Sequence, residues 1–115
     1  MAWRRSHADA PATLDEELEL AALLFDAGLY FDTHEFLETA WKRESGAKKT
    51  ALQGLIQIAA GLHKLELDPK AREGSNYLSE RGMQKVIATR TSLPSAPVTK
   101  ILAGLASVRP NCGRP

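Results

Sequence analysis

The chain has almost no sulfur chemistry available to it. Its single cysteine, Cys112, sits in a run of Pro, Gly and Arg near the C-terminus, which leaves no partner for an intrachain disulfide and no thiolate cluster for zinc. Aromatic residues are equally scarce, with three Phe, two Tyr and two Trp. The basic residues are dispersed and no run of them alternates with aromatics, so a stacking surface for nucleic acid is not expected. Long apolar runs are missing as well. The longest, Leu55 to Leu62, falls far short of the ~20 residues of a membrane span, and Arg4-Arg5 is not followed by the apolar segment of a signal peptide. These absences predict a cytoplasmic protein with no membrane partner. There is no Gly-rich phosphate loop, no strand-like alternation and no internal repeat.

What is present is ordinary for a globular protein: 43% apolar and 25% charged residues in 115 positions, enough for one domain with one core. The expected organisation is an N-terminal arm over residues 1–12, a single helical domain over 13–108 and a disordered tail over 109–115. Net charge is only +1, but it is unevenly spread. Residues 1–38 carry two basic and nine acidic side chains, and residues 39–115 carry thirteen basic and five acidic. Acidic early helices lying beside basic later ones within one fold would account for this.

Thr13-Leu14-Asp15-Glu16 has the form of a capping box, and the apolar spacing that follows predicts a first helix ending near Ala27, with Gly28 as its stop. A second helix is expected at about 30–44. A third, at about 47–67, carries Leu52, Leu55, Ile56, Ile58, Ala59, Leu62 and Leu65 nearly all the way round, the mark of a helix contacted on several sides. Its exceptions are Gln53 and Gln57, a stripe continued by Ala60 and Lys64. Gly54, Ala60 and Gly61 beside that stripe would admit another helix closely. Asp68-Pro69 predicts a stop and restart, with Asp68 as N-cap, followed by a fourth helix to about Ser92 and a fifth from Pro97 to about Val108. The fold class is therefore all-α, a compact bundle of about five helices with the second and third at its centre.

The segment from Tyr30 to Trp41 carries the candidate chemistry. At about 100° per residue, Leu37, Tyr30, Trp41, His34, Glu38 and Phe31 share an arc of roughly 120°, which puts an imidazole and a carboxylate amid the greasiest face of the helix. Burying an unpaired charge is expensive, so His34 and Glu38 need either partners or a task. As metal ligands they would be the two candidates, with Glu35 or a group from the third helix completing a site. The spacing is His-x-x-x-Glu with no second copy, and His7 and His63 are not evidently on the same face. As an acid/base pair, Glu38 would orient His34; no Ser or Cys nucleophile accompanies them. As structure, His34, Glu38, Gln53 and Gln57 would form one buried network, with the Tyr30 hydroxyl and the Trp41 indole as further donors. In that case His34→Ala should cost about 1–3 kcal/mol by stranding Glu38.

The run Phe31-Asp32-Thr33-His34-Glu35-Phe36-Leu37-Glu38-Thr39-Ala40-Trp41, followed by Leu52-Gln53-Gly54-Leu55-Ile56-Gln57-Ile58-Ala59-Ala60 and His63, resembles the family catalogued as domain of unknown function 309. That pattern is an aromatic residue, His-Glu-x-Leu-Glu-x-x-Trp, then Gln-Gly-Leu-Ile-Gln-x-Ala and a later His. By position, His34, Glu35, Leu37, Glu38, Trp41, Gln53, Gly54, Gln57 and His63 carry over, and the resemblance covers about residues 14–90. The family usually continues with Gly-Asn and then Gly-Ala-x-x-Leu. Here Leu67-Asp68 stands in the first place and Gly74-Ser75-Asn76-Tyr77-Leu78 follows a few residues late, so the turn between the third and fourth helices is rebuilt. The resemblance implies a small bundle of about five helices and no established activity.

Three functional readings stay open. The first is a non-enzymatic helical protein whose His34, Glu35, Glu38, Trp41, Gln53, Gln57 and Tyr30 cluster is structural or binds a small ligand or partner. The second is a metal-dependent enzyme using His34, Glu35 and Glu38. The third is a helical-hairpin interaction module, with a homodimer among its forms.

Overall fold

The computed structural model describes residues 13–108; the expected arm and tail lie outside them. Five α-helices follow in order, α1 (Leu14–Asp26), α2 (Tyr30–Arg43), α3 (Gly46–Leu67), α4 (Arg72–Ala88) and α5 (Ser95–Val108), with a short 3₁₀ turn at Arg90–Ser92. No strand occurs among the described residues, and none of these helices is long and apolar enough to cross a membrane.

Local chemistry sets the first two helices. Thr13 Oγ1 accepts from the Glu16 amide at 3.1 Å while the Glu16 carboxylate accepts from the Thr13 amide at 3.2 Å, the reciprocal pair of a capping box. At the far end of α1, Gly28 takes φ +80°. Its amide donates to Phe25 O at 2.9 Å, and the Leu29 amide donates to Leu24 O at 3.0 Å. This is a Schellman closure, which favours glycine at the left-handed position. Two residues later α2 begins, so α1 and α2 form a tight helical hairpin.

The helices pack in the spatial order α4, α3, α2, α1, α5, which places α2 and α3 in the middle. One apolar core runs through them, with Leu18, Leu37, Leu52, Leu55, Ile58, Leu62, Ile101 and Leu105 all almost completely buried. Each such side chain contributes roughly 1.5–3 kcal/mol by leaving water. α1 and α2 are also clamped by charge. Arg43 Nη1 donates to Glu17 Oε2 at 2.9 Å, and Nη2 donates to the other carboxylate oxygen. Glu17 is 6% exposed, and its bond to Arg43 is the main reason the guanidinium is held above its ordinary range. The pair joins the acidic first half of the chain to the basic second half.

α3 and α4 meet almost backbone to backbone. A Cβ added at Gly54 would lie 2.6 Å from Gly82 O, and one at Gly61 would lie 2.8 Å from Ser79 Oγ. The glycines of the third helix therefore do admit a close neighbour, and that neighbour is α4.

Two expected boundaries are corrected. Asp68 does not cap α4. Its carboxylate accepts from the Lys70 amide at 3.0 Å and its carbonyl accepts from the Ala71 amide at 2.8 Å, a side-chain-stabilised turn, and α4 starts only at Arg72. The fourth helix also ends at Ala88, not Ser92. Thr89 Oγ1 bonds back to Lys85 O at 2.7 Å and Ser92 Oγ to Thr89 O at 2.6 Å, which turns the chain so that Leu93 is buried. α5 then opens at Ser95, with Pro97 in its first turn, where the missing N–H has no intrahelical acceptor to lose.

Candidate functional site at the α2–α3 seam

On α2, Phe31, His34 and Glu38 succeed one another at three- and four-residue spacing, so their side chains stack along one stripe. The Phe31 and His34 rings lie nearly parallel, 17° apart, with centroids at 6.3 Å. His34 Nε2 stands 3.9 Å from Glu38 Oε2, the two side chains being 28% and 45% exposed. From α3, His63 reaches the same ring: its centroid is 5.2 Å from that of Phe31, and its Nδ1 is 3.5 Å from Glu66 Oε1. Phe31 therefore bridges the two helices while remaining 47% exposed. The result is a half-open face of one phenyl ring between two imidazoles, with a carboxylate beside each.

The polar groups on this face are incompletely matched. His34 Nδ1 is buried without a hydrogen-bond partner, a state that costs free energy in a folded protein, whereas His63 Nδ1 has the Glu66 carboxylate 3.5 Å away. The imidazole–carboxylate separations exceed the usual hydrogen-bond range. Tyr30, at the start of α2, packs edge-on against Phe25 with ring centroids 5.2 Å apart. Burial, and then the negative charge of Glu66, push its phenol above the ordinary tyrosine range. The Glu66 charge thus reaches Tyr30 as well as His63.

The remaining residues of the expected cluster go elsewhere. Gln57 is half-buried and its Oε1 accepts from Lys85 Nζ on α4 at 2.8 Å. Gln53 is exposed. The stripe of Gln53, Gln57, Ala60 and Lys64 is the α4 side of α3, because the glycines beside it bring α4 into contact there; a single buried network from His34 to Gln57 is not what the helices build. Trp41 is half-buried, with Lys49 Nζ 4.3 Å from its ring centroid and its indole nitrogen buried without a partner. Glu35 is half-buried, and its main-chain carbonyl accepts from Thr39 Oγ1 at 3.4 Å. Among the described residues no group of three or more His, Cys, Asp and Glu side chains is arranged to hold a metal ion, so His34 and Glu38 have no third ligand of these types gathered around them.

Phe31 shares the arc of α2 without belonging to the expected cluster, and His63 and Glu66 join the face only through the packing of α3. The His63–Glu66 spacing of three residues was the available signal. Its relation to Phe31 depends on how α3 is rotated against α2.

A model of the family described as Domain of unknown function (DUF309) matches residues 18–72, a span that includes α2, α3 and every residue of the face. No curated protein and no solved structure matches the chain.

Proposed function

We propose that this chain, whose residues 18–72 belong to the domain of unknown function 309 family, is a small non-enzymatic binding protein that presents the α2–α3 face to a ligand. The observation that carries the reading is the half-exposed Phe31 ring held between imidazoles from two helices, each with a carboxylate beside it. A cluster kept only to lock helix register would bury the ring. The 3.9 Å between His34 and Glu38 is a charge contact and not a formed hydrogen bond.

The test is a screen of water-soluble single-ring aromatic fragments against the ¹⁵N,¹³C-labelled full chain. Shift changes centred on Phe31, His34 and His63 are expected, and they should vanish in His34→Ala/His63→Ala while the circular dichroism spectrum is kept. Fragments that perturb only other parts of the surface would refute the assignment.

A further inference from the structure

A second open place lies between α1 and α5, which run side by side in the same direction, Glu19 to Asp26 of the one along Ala96 to Ser107 of the other. Toward their C-terminal ends the seam holds a hollow of about 320 Å³, at the small end of the roughly 300–1,000 Å³ in which small molecules are bound. The residue sizes on α5 create it. A Cβ added at Gly104 would lie 2.9 Å from Phe25 Cε2, so the helices come close there, while Ala103 and Ser107 put little side chain over the space that remains.

The two walls of this hollow carry opposite charges. Asp26 stands in the last turn of α1, which has no basic residue, so its carboxylate meets the negative end of the helix dipole. Tyr30 lines the same wall, and the Glu66 charge that reaches its phenol adds to the negative side. Lys100 lines the other wall and also the neighbouring hollow that contains Glu19. Among the described residues it forms no ion pair with either carboxylate. We propose that the hollow binds a small zwitterion, an α-amino acid with an apolar side chain, its ammonium beside Asp26, its carboxylate beside Lys100 and its side chain over Ala103 and Gly104. A ligand with a positive charge alone would face Lys100, and one with a negative charge alone would face Asp26. A ligand with both satisfies both walls, and its cation falls where the α1 dipole favours one. The site is separate from the Phe31 face and does not depend on it.

The experiment titrates the ¹⁵N-labelled full chain at pH 6, between the ordinary α-carboxyl and α-amino ranges, with leucine, leucinamide, N-acetylleucine and N-acetylleucinamide. The four probes share a side chain and carry both charges, the positive, the negative and neither. The readout is the backbone amide signals of Asp26, Lys100, Ala103 and Gly104. Leucine should bind about fivefold more tightly than N-acetylleucinamide, with the singly charged probes between them, since a solvent-exposed ion pair is worth a factor of about two to three. The preference should shrink as salt rises. Lys100→Gln should remove the advantage of leucine over leucinamide, and Asp26→Asn its advantage over N-acetylleucine. Ala103→Leu, which fills the hollow from an exposed position of α5, should weaken all four probes while the circular dichroism spectrum is kept. Equal binding of leucine and N-acetylleucinamide, or tighter binding of either singly charged probe, overturns the zwitterion assignment. A preference that survives in both charge variants, or no response of these amides to any probe, overturns the site.

Discussion

The two flanks of α3 hold their neighbours by opposite means. Toward α4 the helix offers Gly54 and Gly61, met by Gly82, Ser75 and Ser79, so the backbones approach until no further carbon fits. Toward α2 it offers His63 against the half-exposed Phe31, with charged groups at the rim. The first flank is closed and tolerates no added volume; the second shares the apolar core of Leu37, Leu52, Leu55 and Leu62 and is open only at its Phe31–His63 end. Tight packing and a usable surface are thus separated onto different sides of one helix.

Substitutions should expose that contrast. The largest loss is expected from Gly54→Ala, whose methyl would stand 2.6 Å from a main-chain oxygen and 2.9 Å from Val86 Cγ2. Because backbone cannot swing aside, urea unfolding should show a decrease of about 3 kcal/mol, at the upper end of ordinary overpacking; a loss below about 1 kcal/mol would mean that the two helices part easily. Arg43→Met, which leaves the Glu17 carboxylate buried without its donor fork, should cost about 1–3 kcal/mol by the same measurement.

Smaller effects are expected on the open flank. Tyr30 stays protonated to higher pH in the folded chain than in the unfolded one. The stability linked to it is therefore fully present below the ordinary tyrosine pKa of about 10 and is lost as pH rises through the folded value. Thermal melts on the alkaline side of pH 10 should fall less steeply in Tyr30→Phe than in the parent. An unchanged slope would remove Tyr30 from that account. Smaller again, His34→Ala should change stability by about 1 kcal/mol or less, because the neighbouring Glu38 is 45% exposed and can be solvated. This replaces the 1–3 kcal/mol expected of a buried network. Ser79→Ala on the closed flank should be neutral or slightly stabilising, since the Ser79 hydroxyl is wholly buried and unpartnered.

Much of the fold can be read from local chemistry. The Thr13–Glu16 box and the Gly28 stop depend on residues within one turn of each other, and both are realised as their types require. The long apolar surface of α3 and its glycines likewise announce a helix packed on more than one side. Asp68-Pro69 misleads because the same two residues suit a turn as well as a helix start; here the carboxylate bonds to Lys70 and the helix begins later. The site was legible in part. The His34–Glu38 stripe is a property of one helix, whereas assigning Gln57 to it required knowing which side of α3 faces which neighbour.

Caps, periodicity and glycine placement, interactions spanning four residues or fewer, made this chain five helices with an ionisable stripe on the second. The rotation of α3 between its neighbours was decided only in three dimensions, because a helix apolar nearly all round has no single inward face. The close fit of Gly54 and Gly61 against α4 selected that rotation. It carried Gln57 to Lys85 and left His63 and Glu66 beside Phe31 and Tyr30.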